Sequence, residues 1–104
     1  MGNRDETPIA CTLQPGDYQQ RLALIAEVAR SGLLATSRRD LRLELRYALH
    51  MADRVRELVD KEQVCCAFLD FELTQTGEDV RLAITVPERA RDVADALFEP
   101  FVTR

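Results

Sequence analysis

The chain reads as an α+β domain of two layers, with helices on one face of a mostly antiparallel sheet. Two observations predict this. Leu41, Leu43, Leu45 and Tyr47 alternate with Arg42, Glu44 and Arg46, as on a strand with one buried and one wet face. Stretches of this kind come in adjacent pairs separated by segments of helical periodicity, which gives the order β-α-β-β-α-β-β-α. The first six elements match a split βαβ arrangement, so the fold is expected to be ferredoxin-like in part, with a strand and helix added.

Each element follows from its residues. Residues 1–7 are polar and are expected to be a disordered N-terminus, which leaves 8–104 as a single α+β domain. Ile9, Cys11 and Leu13 alternate with Ala10 and Thr12, a short strand with Cys11 facing inward. Gln14-Pro15-Gly16 ends it, and Asp17 with Gln20 forms a weak capping box. Tyr18, Leu22, Ile25, Val28 and Ala29 recur at helical spacing up to Gly32, a C-terminal cap, so the first helix spans about 17–31. A strand over 33–37 and a turn at Arg38-Arg39-Asp40 lead into the alternating strand of Leu41–Tyr47.

A second helix is expected over about 50–68, with Met51, Val55, Leu58, Val59, Cys65, Cys66 and Leu69 as its apolar stripe. Phe71 and Leu73 alternate with Asp70, Glu72 and Thr74, and Thr76-Gly77-Glu78-Asp79 is a hairpin loop. Val80, Leu82, Ile84 and Val86 form the last strand. Pro87 suits a first helical position, the final helix runs to about Phe98, and Pro100 stops it.

Composition narrows the function classes. With 104 residues the chain has room for one domain, and its 46% hydrophobic content is that of a globular protein. A net charge of −4 argues against nucleic acid and anionic membrane surfaces, both of which ask for a basic footprint. No run of apolar residues is long enough to span a bilayer, and the N-terminus lacks the apolar core of a signal peptide. A cytoplasmic protein is the expectation. Lys61 is the sole lysine among 14 basic residues, a bias typical of a GC-rich bacterial genome. No phosphate loop, dinucleotide fingerprint, zinc-protease helix or nucleophile elbow occurs, and a non-catalytic protein is the expectation.

The chemistry-bearing residues are Cys11, Cys65, Cys66 and Glu62. At about 100° per residue, Glu62 falls at the centre of the second helix's apolar stripe, with Cys65 roughly 60° to one side and Cys66 about 40° to the other. A carboxylate in that position must be paired, protonated or bound to a cation. If the first strand lies under this helix, Cys11 adds a third thiol. Thiolates select soft or borderline ions, so the cluster reads as a site for zinc or another soft metal or metalloid, with Glu62 assisting. Two other readings stay open: cysteines that are only core, in an interaction module, and a thiol redox protein. In the reducing cytoplasm the thiols are expected to stay free. His50 reads as a helix-start or surface residue, not a ligand. Val64 and Phe68, four apart on the second helix, form a second apolar pair that reads first as contact with a neighbouring loop or helix and otherwise as extra apolar surface at a subunit interface. With the open sheet face they lead to an expected homodimer. The Arg42/Glu44/Arg46 and Asp70/Glu72/Thr74 rows read as a solvated sheet face, and a face crossed with charges of both signs is also able to mediate dimer pairing.

Glu62-Gln63-Val64-Cys65-Cys66-Ala67-Phe68, followed by Leu69-Asp70-Phe71, resembles the E-x-x-C-C-x-F segment of a group of small bacterial proteins. It is also similar to the tail of some mercury-resistance-type (MerR-like) regulators. Ile9-Ala10-Cys11-Thr12-Leu13 is similar to the start of those small proteins. The resemblance runs over about 8–98, with Ala67 where many relatives carry proline. It implies a link to heavy-metal or thiol stress. No DNA-binding domain precedes the segment, so a regulator's role is not carried over.

Overall fold

The computed structural model describes residues 15–102, with the side chains of 15–18 and of Cys65 outside the description. Its elements are α1 (Pro15–Gly32), β1 (Leu33–Arg39), β2 (Arg42–Ala48), α2 (Ala52–Cys65), β3 (Asp70–Gln75), β4 (Asp79–Thr85) and α3 (Ala94–Val102). Short 3-10 turns, Leu49–Met51 and Glu88–Val93, lead into α2 and α3. The expected α+β architecture is present: helices cover one face of an antiparallel sheet. The expected strand at Ile9–Leu13, with Cys11, and the capping role of Asp17 lie outside the described residues.

The strands lie in the order β1-β2-β4-β3, every neighbouring pair antiparallel. Consequently β2 and β3 run parallel with β4 between them, and α2 connects them. That is a split βαβ unit made of three of the six elements the sequence pattern suggested, with the added strand β4 lying between its two strands. The two hairpins are also related to each other. Thr36 pairs with Leu45, Leu73 with Leu82, and Leu45 with Leu82 across the centre. The register is thus symmetric about the β2–β4 junction, and each hairpin is followed by a 3-10 turn and a helix.

Alternation decides which face is which. Leu43, Leu45 and Tyr47 of β2 and Val80, Leu82 and Ile84 of β4 point inward and are almost wholly buried. Against them pack Leu24, Ile25 and Val28 of α1, Val55 and Leu58 of α2, and Ala94, Phe98 and Phe101 of α3. Each such large side chain contributes about 1.5–3 kcal/mol on leaving water. α1 packs against both other helices. Its end is set by space: a Cβ on Gly32 would collide with the Met51 side chain, so glycine lets α1 close down on the turn before α2. The β1–β2 link is Asp40-Leu41, later than the expected turn, with Asp40 at φ 52, a left-handed conformation that aspartate tolerates. Arg91 donates to both its carboxylate oxygens at 2.6 and 3.0 Å.

Two expected helix ends are corrected. α2 stops at Cys65; Cys66 adopts φ −124, ψ 63, and the chain turns so that Leu69 N–H donates to the Cys66 carbonyl at 3.0 Å. Phe68 is therefore off the helix and 4% exposed in the core, whereas Val64 is 79% exposed. The Val64–Phe68 surface pair does not form, because burying Phe68 requires the chain to leave the helical path. At the C-terminus, Pro87 precedes a 3-10 turn kinked at Ala90, and α3 continues through Pro100 to Val102. Proline removes one N–H from the last turn, but Ala94, Phe98 and Phe101, spaced to share a face, hold that turn on the core. His50, in the 3-10 turn, is exposed, as expected.

Tyr47 is fully buried and its hydroxyl has no hydrogen-bond partner among the described residues. Burial pushes its phenol well above the ordinary tyrosine range. An unpaired buried hydroxyl costs about 1–3 kcal/mol. Tyr47→Phe is therefore expected to leave stability unchanged or raise it by up to about 1 kcal/mol, read as a shift in the urea midpoint. A loss of more than about 1 kcal/mol would show that the hydroxyl is satisfied in solution.

Candidate functional site

Glu62 sits on the inward face of α2 and is wholly buried. The sequence left three ways to accommodate it, a charged partner, a proton or a bound cation, and the structure has the partner, an arginine. Arg21 of α1 donates through Nε to Glu62 Oε2 at 2.5 Å and through Nη2 to Oε1 at 2.7 Å. The Arg21 side chain is itself only 8% exposed. This is the two-pronged guanidinium–carboxylate geometry, in which two parallel N–H···O bonds fix both planes. Arg21 was not singled out from the sequence, although the signal was there. It lies one turn before Ile25 and two before Val28, so a cation occupied α1's apolar stripe just as an anion occupied α2's.

One turn after Glu62, Cys66 N–H donates to the Glu62 carbonyl at 2.7 Å, closing the last turn of α2. Cys66 is completely buried, and it is disulfide-bonded. The expectation that every thiol stays free does not hold there. The side chains of the other two cysteines, Cys11 and Cys65, lie outside the described residues. The structure thus brings Arg21, Glu62 and Cys66 together at the end of α2, and both Glu62 oxygens are engaged by Arg21. No group of three or more His, Cys, Asp or Glu side chains suited to a metal occurs among the described residues. None of the described helices is long and apolar enough to cross a membrane.

The outer face of the sheet is the second place where polar groups gather. A hollow of about 530 Å³ crosses all four strands, floored by Ala35, Ser37 and Ala83 and edged by Arg42, Glu44, Arg46, Glu72 and Arg81. Arg42 donates to Glu44 at 3.2 Å and, reaching over β4, to Glu72 at 3.0 Å. Ala83 lies beneath that bridge, 8% exposed although it points outward. At the other end Arg81 donates to Asp79 at 3.1 Å, and Arg46 lies 3.6 Å from the same carboxylate.

Asp79 also organises the β3–β4 turn. Thr76 N–H donates to its carbonyl, the Thr76 hydroxyl donates to its carboxylate at 3.0 Å, and Asp79 N–H donates back to that hydroxyl at 3.0 Å. The Arg81 hydrogen bond, with lesser help from Thr76 and Arg46, holds the Asp79 carboxyl below its ordinary range.

Comparison with protein-family models, with curated proteins and with solved structures finds no match.

Two predictions follow from these pairs. Removing one partner of a buried ion pair strands a charge, so Arg21→Met or Glu62→Leu alone is expected to cost about 3–5 kcal/mol. The double variant should cost less than either single one in urea denaturation, because the stranded charge is gone. Equal, additive losses would mean that the pair is solvated. The Asp79 pair sets a pH dependence. A carboxyl whose pKa is lower folded than unfolded contributes its stability in full above about pH 4, and that contribution is lost as pH falls through the folded value. Lowering pH from 7 to 3 is expected to lower the denaturation midpoint, and Asp79→Asn should show a smaller drop than the parent chain; an identical drop would remove Asp79 from the account.

Proposed function

We propose that the protein is a small, non-catalytic bacterial protein that binds a soft metal or metalloid ion, zinc included, through its thiols in the reduced state. Cys66, Cys65 and Cys11 are the ligand set, and Glu62, held by Arg21 one turn away, assists by fixing the end of α2. The observation that carries the reading is the disulfide at Cys66. A disulfide requires a second sulfur within bonding reach. Once two electrons and two protons from a thiol reductant have opened it, the same proximity offers two thiols to one ion. Two thiolates suit the softest ions, and a third suits zinc or trivalent arsenic. The resemblance of Glu62–Phe68 to the tail of mercury-resistance-type regulators points the same way. Binding releases thiol protons, so affinity is expected to rise with pH.

The same disulfide supports a second reading, a thiol redox protein whose working change is the opening and closing of that bond. The protein is further read as a cytoplasmic homodimer.

Native mass spectrometry of the full chain, reduced under anaerobic conditions and offered zinc chloride or arsenite, tests the proposal. One ion per chain is expected, with Cys66→Ser reducing uptake at least about 100-fold and circular dichroism confirming that this variant is folded. Timed iodoacetamide labelling with and without chelator provides a second measurement. Faster labelling after chelation supports the metal site. A fast-reacting thiol in metal-free protein favours the redox reading instead. No adduct from the reduced protein, with slow labelling that chelator does not change, would overturn the proposal and leave only core cysteines.

A further inference from the structure

The outer face of the sheet has an uneven distribution of charge. At one end two guanidinium groups, Arg46 and Arg81, share one carboxylate, Asp79. The two arginines stand directly opposite each other across β2 and β4, an arrangement that is unfavourable by itself. Arg46 makes no side-chain hydrogen bond among the described residues, and its ion pair with Asp79 is loose, at 3.6 Å. In the next row of outward residues the excess reverses. Glu44 and Glu72, from β2 and β3, share one guanidinium, that of Arg42. Arg39 and Asp70, both in the row beyond, cancel in charge. The hollow is therefore a dipole, with an excess of one positive charge at the Arg46/Arg81 end and of one negative charge at the Glu44/Glu72 end.

Resting on the homodimeric reading above, we propose that this face is the contact surface between two copies of the chain. A two-fold axis lying across the strands, between the Arg46/Arg81 row and the Glu44/Ala83/Glu72 row, turns the dipole of one copy head to tail on the other. Arg46 then lies over Glu44 of the second copy, and Arg81 reaches between that copy's Glu44 and Glu72. A two-fold contact uses the same patch twice, so a patch must complement itself, and a dipole does. The small floor residues Ala35, Ser37 and Ala83 leave room for the long side chains of the opposing copy. A small molecule is the poorer occupant, because the hollow runs across four strands with no roof among the described residues. Ligand sites generally bury about 70–90% of a small ligand's surface.

The face is modest in size. Four strands about 4.8 Å apart and about five residues long cover roughly 300–400 Å² in plan. Stable interfaces bury about 800 Å² on each partner, so this one is weak and exchanging. Since charge holds it, it should weaken as salt rises. An apolar interface such as one centred on Val64 would not.

Sedimentation equilibrium on the full reduced chain tests this. A monomer–dimer equilibrium is expected, weakening about tenfold or more between about 0.05 and 0.5 M sodium chloride. Arg46→Glu/Arg81→Glu and Glu44→Arg/Glu72→Arg should each weaken self-association at least about 100-fold, and mixing the two should restore a heterodimer. Restoration on mixing cannot come from variants that have simply lost their fold. The wild-type salt series needs no variant at all. A dimer indifferent to salt and to both reversals would overturn this interface while leaving the homodimer standing. A monomer at every concentration up to about 1 mM would overturn both.

Discussion

The ion pair between Arg21 and Glu62 is the constraint on which the helical layer depends. The sheet is held by its own ladder of hydrogen bonds, but helices on an apolar face can slide. Apolar contacts are non-directional and tolerate small shifts. A guanidinium and a carboxylate joined by bonds of 2.5 and 2.7 Å do not. Arg21 is one turn from the residues that seat α1 on the sheet, and Glu62 is one turn from the end of α2. Their pairing fixes the relative height of the two helices and with it the point at which α2 stops. Removing two charges from water is expensive, and a well-packed apolar pair in their place could be as stable. What the charged pair adds is register: only one relative placement of α1 and α2 satisfies both groups.

That placement has a consequence at the thiols. Cys66 is the first residue after α2, with its backbone N–H bound to the Glu62 carbonyl and its side chain wholly buried. A reagent or ion approaching Cys66 must displace part of the packing around the end of α2. The residues after it offer a route, because Ala67 is exposed and the chain from Cys66 to Leu69 is a turn, not a helix. Glu62 of the ion pair lies one turn earlier, on α2, and the disulfide at Cys66 lies at the start of this turn.

The four described strands were legible in the sequence to within two residues because each hairpin alternates cleanly: Leu43, Leu45 and Tyr47 in β2, Val80, Leu82 and Ile84 in β4. Helix ends were less legible, and both misses share one cause. Phe68 continues the helical spacing of α2, and Pro100 carries the usual stop signal, yet each end is set by a distant core contact. Phe68 leaves the helix to be buried, and Phe101 keeps the last turn in place beyond the proline. In the candidate site, Glu62 stood out because a carboxylate on an apolar stripe demands a partner. Which partner could not be read from one helix alone, since Arg21 and Glu62 are 41 residues apart and meet only when α1 and α2 pack.

The outer face shows the limit of the same approach from the opposite side. Arg42, Glu44 and Arg46 were correctly placed on one face by alternation, and so were Asp70, Glu72 and Thr74. Read strand by strand, the charges look mixed, able to pair with a second copy but without a polarity. Register changes that. Because Leu45 pairs with Leu82 and Leu73 with Leu82, Arg46 and Arg81 fall in one row and Glu44 and Glu72 in the next, with Ala83 between the two glutamates. Only alanine or another small residue at that position lets Arg42 cross β4 to reach Glu72. The separation of positive from negative excess therefore follows from strand order and pairing. A slip of one residue in β4 would turn Arg81 into the core and bring Leu82 onto the charged face. The core pattern that fixes the register of β4 thereby fixes the charge pattern on its opposite side.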